Sequence, residues 1–134
     1  LALLLAAAIL AIGCGRPSPP ARALPEDVPY ATLLAEGETL YSQACAMCHY
    51  AGEAGSLAPA LRNAPSVQAA DPTAMIQAVL QGRTNQSTER PGIMPAQAYL
   101  SDFEIAAILT YIRKEFAGSE TPVQPADVFH LRTP

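Results

Sequence analysis

Cys45-Ala46-Met47-Cys48-His49, in a chain of 134 residues, decides how everything around it is read. Two residues three apart on a helical turn lie about 5 to 6 Å from each other on one face. A histidine follows directly, which leaves three chemistries to weigh. A structural zinc site takes four Cys or His ligands, and outside the motif the sequence holds only Cys14 and His130. A thioredoxin-type dithiol follows a strand, whereas the residues before Cys45 have helical spacing. The third chemistry is covalent attachment of c-type haem, in which two thioethers hold one porphyrin edge and the next histidine faces the iron. Cys45 and Cys48 are therefore expected to carry one haem c, with His49 as an axial ligand.

Outward from the motif, three segments have helical periodicity and none has strand alternation. Leu33, Gly37, Leu40, Tyr41 and Ala44 share one face of the first, from about Leu33 to Ala44. The second opens with Asp71 as N-cap and Pro72 at the first helical position, carries Met75, Ile76, Val79 and Leu80, and stops at Gly82. In the third, Ser101 and Glu104 predict a capping box, and Leu100 with Ile105 a hydrophobic staple. Ile105, Ile108, Leu109, Ile112 and Phe116 form its apolar stripe, and Gly118 ends it. The expected fold is all-α, with three main helices and long loops wrapped around one covalently bound haem. Fewer than 90 residues (30–118) build this domain. A core of that size barely suffices on burial alone, and a haem would add the apolar volume it lacks.

A sixth iron ligand has few candidates. Met47 lies between the two cysteines and does not reach the opposite haem face, and Met75 sits on the apolar stripe of the second helix. Met94 lies in Gly92-Ile93-Met94-Pro95, a non-helical stretch before the last helix, where a loop can fold over the far side of the haem. His130 is the rival, in a proline-containing tail (119–134) with a short helical turn from Pro125 through Val128.

On these residues the segment from about Leu33 to Gly118 resembles a class I cytochrome c. The resemblance implies His49 and Met94 as axial ligands. It also implies that Pro59, in Ala58-Pro59-Ala60-Leu61, accepts a hydrogen bond from the second ring nitrogen of His49 through its carbonyl. The family commonly has Gly at the position of Ala58. A crossing of the first and last helices through a glycine and aromatics is implied as well, and Gly37, Tyr41 and Tyr111 match it. Arg62, Arg83 and Arg90 are candidate partners for the haem propionates, and Tyr50 and Tyr99 candidate pocket residues.

The chain's 50% hydrophobic content is weighted towards its start, where Gly13 alone interrupts the apolar class from Leu1 to Cys14. Twelve unbroken apolar residues, Leu1 to Ile12, fall short of the roughly 17 to 25 needed to span a bilayer. Followed by Gly13 and Cys14, they have the layout of an export signal with its cleavage site. Ala11-Ile12-Gly13-Cys14 resembles the bacterial lipoprotein signal, which makes 1–13 the signal segment and Cys14 the lipidated residue. Residues 14–29 follow with five prolines, Pro17, Pro19, Pro20, Pro25 and Pro29. In extended polyproline geometry, at about 3.1 Å per residue, such a tether reaches roughly 45 Å. Twelve acidic against eight basic residues, with no run of cations, leave no footprint for nucleic acid.

The expected function is single-electron transfer at the extracytoplasmic (periplasmic) face of a membrane, by an electron carrier and not an enzyme in its own right. The expected partners are redox proteins or other subunits of a respiratory complex such as alternative complex III, together with the membrane itself through Cys14. The last-helix and tail pattern resembles cytochrome domains of such complexes. A free lipid-anchored shuttle, or a haem sensor in which Met94 gives way to a small ligand, are the alternatives.

Overall fold

Ser101 opens the longest helix, α4 (Asp102–Ala117), through the expected capping box. The Glu104 amide donates to Ser101 Oγ at 3.2 Å, and the Ser101 amide donates to Glu104 Oε2 at 2.7 Å. Gly118 closes the helix in the left-handed region. The structure is a computed structural model and describes residues 23–50, 58–85 and 92–132. The signal segment, Cys14, the tether as far as Arg22, and Arg90 lie outside the described residues.

Before α4 come α1 (Tyr30–Ala44), α2 (Pro65–Gln68), α3 (Thr73–Gln81), β1 (Arg83–Asn85) and β2 (Gly92–Met94), and after it α5 (Pro125–Leu131). The fold is all-α in its architecture, as expected, with the largest helix contact between α1 and α4. Leu33, Ile105, Ile108, Leu109 and Ile76 are fully buried between the helices. At the α1/α4 crossing a Cβ on Gly37 would stand 2.1 Å from the Ala107 carbonyl oxygen and 2.9 Å from Tyr111 Cβ. Only glycine lets the two backbones approach so closely. The rings of Tyr41 and Tyr111 pack beside it, with centroids 5.3 Å apart.

The differences from expectation are local. α1 begins at Tyr30, three residues early, and the amides of Thr32 and Leu33 bond to the Pro29 carbonyl. α3 begins at Thr73 with Pro72 as N-cap, and Asp71 Oδ1 accepts from the Thr73 amide at 2.8 Å. Asp71 thus makes the side-chain bond expected of it, although the helix starts one residue later than expected, with Pro72 as N-cap instead of first helical residue. β1 and β2 form an antiparallel pair with Arg83 opposite Met94. Three residues per strand are too few for alternation to appear in the sequence.

The proline-containing segment after Gly118 is packed into the domain. Val123 and Val128 are fully buried. Buried Thr110 on α4 receives the Val123 amide at 3.0 Å and donates to its carbonyl at 3.3 Å. Gln124 exchanges two hydrogen bonds with the Val28 backbone, at 2.9 and 3.1 Å, and so ties the end of the tether to the start of α5. The short helical turn read from Pro125 through Val128 extends to Leu131.

Candidate functional site

α1 ends in the motif. The amides of Cys45 and Ala46 both bond to the Tyr41 carbonyl, and those of Cys48 and His49 bond to the Cys45 carbonyl at 3.2 and 2.9 Å. This continued helical turn sets the two thiols and the imidazole on adjacent positions. Cys45 packs partly buried against the core cluster, whereas Cys48 is exposed, and both are free cysteines. The Tyr41 hydroxyl donates to the His49 carbonyl at 2.5 Å and locks the turn from below. Ala58 is tied back to the motif through its amide, which donates to the Cys48 carbonyl at 3.0 Å.

His49 is half-buried. Burial pulls its pKa below the ordinary imidazole value, while the Pro59 carbonyl acts in the opposite, weaker sense. Nδ1 is sealed from solvent and has no hydrogen bond of good geometry among the described residues. The Pro59 contact is therefore in the expected place without being closed as a hydrogen bond. Burial thus favours the neutral imidazole, the form that binds a metal.

Met94 ends β2, half-buried, and borders the same apolar cluster as Cys45, Ala46, Leu61 and Leu100. Gly82, with φ +73°, holds this strand end from the side of α3: a Cβ there would meet the Met94 carbonyl oxygen at 2.5 Å and the Ala96 amide nitrogen at 2.8 Å. Read from sequence, Gly82 is only a helix stop. Its second role, admitting the methionine loop, arises from a partner twelve residues away and has no sequence signal.

The other candidates separate. Met75 is core, 4% exposed. Arg62 lies over the Phe116 ring at 5.6 Å, and Arg83 stands exposed across the strand pair from Met94. His130 is exposed on α5, edge-on to Phe129 at 5.8 Å. Met47, Tyr50, Ile93 and Tyr99, all on the segments that carry the motif and Met94, are 72% to 79% exposed. Large apolar or amphipathic side chains left uncovered beside the motif and beside Met94 are surface that an apolar prosthetic group suits.

The cytochrome c family profile matches residues 34–115. This span is more than half of the chain and contains the motif, the Met94 loop and most of α4, so the chain belongs to the cytochrome c family. A search of the curated proteins returned no match to it. The family binds covalently attached haem c and transfers electrons. The residues present fit that group. Cys45 and Cys48 would hold it, and His49 and Met94 would supply the axial nitrogen and sulfur. When bound, haem c supplies one-electron exchange at its iron.

Tyr41 couples this site to pH. Burial, then the neighbouring Cys45, Tyr111 and Glu115, push its hydroxyl up from 10.0 to about 12. An acid whose folded pKa is raised contributes stability that is fully present below the unfolded value and disappears as pH rises through the folded one. The midpoint of urea unfolding is expected to fall between pH 10 and 12, and Tyr41→Phe to flatten that decline. An equal decline in the variant would remove Tyr41 as its source.

Proposed function

We propose that this cytochrome c is a lipid-anchored, periplasmic, single-electron carrier that works as a subunit of a membrane respiratory complex such as alternative complex III, passing electrons from quinol oxidation towards an oxidase. The observation that carries the reading is the layout at the start of the sequence. A twelve-residue apolar run and Gly13 lead into Cys14, which stands ahead of a proline-rich tether and the haem-binding domain. Acylation of Cys14 with more than one chain gives stable anchoring, at about 0.8 kcal/mol per buried methylene.

The His49 and Met94 pair supports electron transfer over reaction at the iron, because both axial positions are taken by protein and a one-electron change then needs little rearrangement. The exposed Met47, Tyr50, Ile93 and Tyr99 offer a small apolar rim. Redox encounters use interfaces of that modest size. The proline tether favours a second reading, a free lipid-anchored shuttle, because a reach of roughly 45 Å lets one domain visit separate partners.

Purification from detergent-solubilised membranes, followed by haem absorbance, tests both. Elution of the haem with a stable multi-subunit assembly supports the subunit reading, and elution as a solitary lipoprotein supports the shuttle. Cys14→Ser should move the holoprotein from the membrane fraction to the soluble one. Mass spectrometry of the membrane-bound wild-type protein that finds Cys14 unacylated would refute lipid anchoring.

A further inference from the structure

The loop that carries Met94 runs from the end of β2 to Ser101 and is held from two directions. On the α3 side the Gln97 amide donates to the Val79 carbonyl at 2.8 Å, and Gly82 admits the Met94–Ala96 backbone. On the other side the hold comes from a residue that lies beyond the family match, at the far end of the described chain. Arg132 donates through one guanidinium nitrogen to the Ala98 carbonyl at 2.7 Å, through another to the Leu100 carbonyl, and through Nε to Asp102 Oδ1. Asp102 is 7% exposed and the Arg132 side chain 18%, so this ion pair is largely shielded from solvent.

We propose that Arg132 is a positioning residue for the axial methionine: its guanidinium clamps the loop after Met94 and keeps that loop closed. The inference rests on Met94 being the ligand. Three features carry it. The planar fork reaches three acceptors at once, two of them carbonyls of the loop itself, a task for which a lysine ammonium has the wrong shape. The support behind the fork is rigid, because α5 is anchored through buried Val128, through Val123 on Thr110, and through Gln124 on Val28. The α3-side hold reaches only as far as Gln97, and the hydrogen bonds within the loop are Gln97 Nε2 to the Pro95 carbonyl and the Leu100 amide to the Gln97 carbonyl, so the stretch from Ala98 to Leu100 is tied to the rest of the domain through Arg132. Removing the arginine takes charge-assisted donors from two loop carbonyls and the guanidinium from a buried carboxylate. Each of these changes favours the open loop.

An outside ligand binds the iron only when the methionine has let go, so its apparent affinity reports the open fraction of the loop. Imidazole titration of the ferric holoprotein is the readout, together with the weak near-infrared methionine-to-iron band. Arg132→Ala is expected to raise imidazole affinity at least about 10-fold and to weaken the band. Arg132→Lys should fall between wild type and Arg132→Ala, and serves alone if the alanine variant does not fold. Gly118→Ala is the stability control, since Gly118 closes the opposite end of α4 in the left-handed region, where alanine is strained, with nothing within 4 Å of an added Cβ. It should lower thermal stability while leaving imidazole affinity at the wild-type value. Wild-type affinity in both arginine variants would overturn the inference, as would an equal rise in Gly118→Ala. Met94→Ala separates this from the ligation reading. Loss of the band in that variant, with unchanged arginine variants, defeats the clamp alone, whereas a retained band defeats the ligation reading and the clamp with it.

Discussion

Gly37→Ala is expected to destabilise the domain severely, lowering its thermal midpoint by about 10 °C or more. Alanine at an ordinary exposed helical site would be stabilising by up to about 1 kcal/mol. Here the added methyl would stand 2.1 Å from the Ala107 carbonyl oxygen, 2.7 Å from its carbon and 2.9 Å from Tyr111 Cβ. None of these is the tip of a flexible chain, so relief requires α1 and α4 to separate. Overpacking of this kind typically costs about 1 to 3 kcal/mol and can exceed that. Total stabilities are about 5 to 15 kcal/mol, and a core of fewer than 90 residues sits low in that range. The separation would also part Tyr41 from Tyr111 and disturb the turn that Tyr41 holds through the His49 carbonyl. Thermal melts followed by circular dichroism should show the midpoint lowered by 10 °C or more, at about 4 to 8 °C per kcal/mol, with less haem retained per chain in expression. A midpoint at or above that of wild type would refute the crossing geometry.

How much of this was legible beforehand depends on how far each signal reaches along the chain. The capping box at Ser101 and Glu104 is complete within four residues and formed as expected. The apolar stripe of α4 is likewise carried by its own period, and Ile105, Ile108, Leu109, Ile112 and Phe116 are all buried. Gly37, Tyr41 and Tyr111 were expected to meet through family resemblance, because helical spacing shows which face is apolar but not what it packs against. The tail was the least legible part. Val123, Gln124 and Val128 lie in what reads as a proline-containing tail with one short helical turn, and the partners that pack Val123 and Gln124 into the domain, Thr110 and Val28, lie 13 and 96 residues away in sequence. Arg132 is the same case, a lone arginine near the end of the chain whose acceptors are 30 to 34 residues upstream. Gly82 and Met94 approach each other through a hairpin too short to pattern.

Met94→Ala is expected to change the redox chemistry more than any other substitution that leaves the fold in place. The side chain is half-buried at the end of β2, and β1 pairing, Gly82 and Gln97 hold the surrounding backbone independently of it. Haem attachment through Cys45 and Cys48 should therefore persist in the variant. Methionine opposite histidine raises the reduction potential relative to most other ligand sets, and axial ligands as a class move haem potentials over about 0.8 V. Loss of the sulfur should lower the potential by at least about 0.1 V and remove the near-infrared band. The variant should also bind carbon monoxide at neutral pH, which the wild-type protein should resist. His130→Ala supplies the comparison: that side chain is exposed on α5 against Phe129, and its loss should leave potential and spectrum unchanged. The two variants divide the functional readings. Ready carbon monoxide binding by the wild-type protein would favour a sensor whose methionine gives way to ligands. An unchanged potential and band in Met94→Ala would place the sixth ligand elsewhere in the chain. A fall confined to Met94→Ala, with wild type closed to carbon monoxide, fits an electron carrier whose iron keeps both protein ligands in both oxidation states.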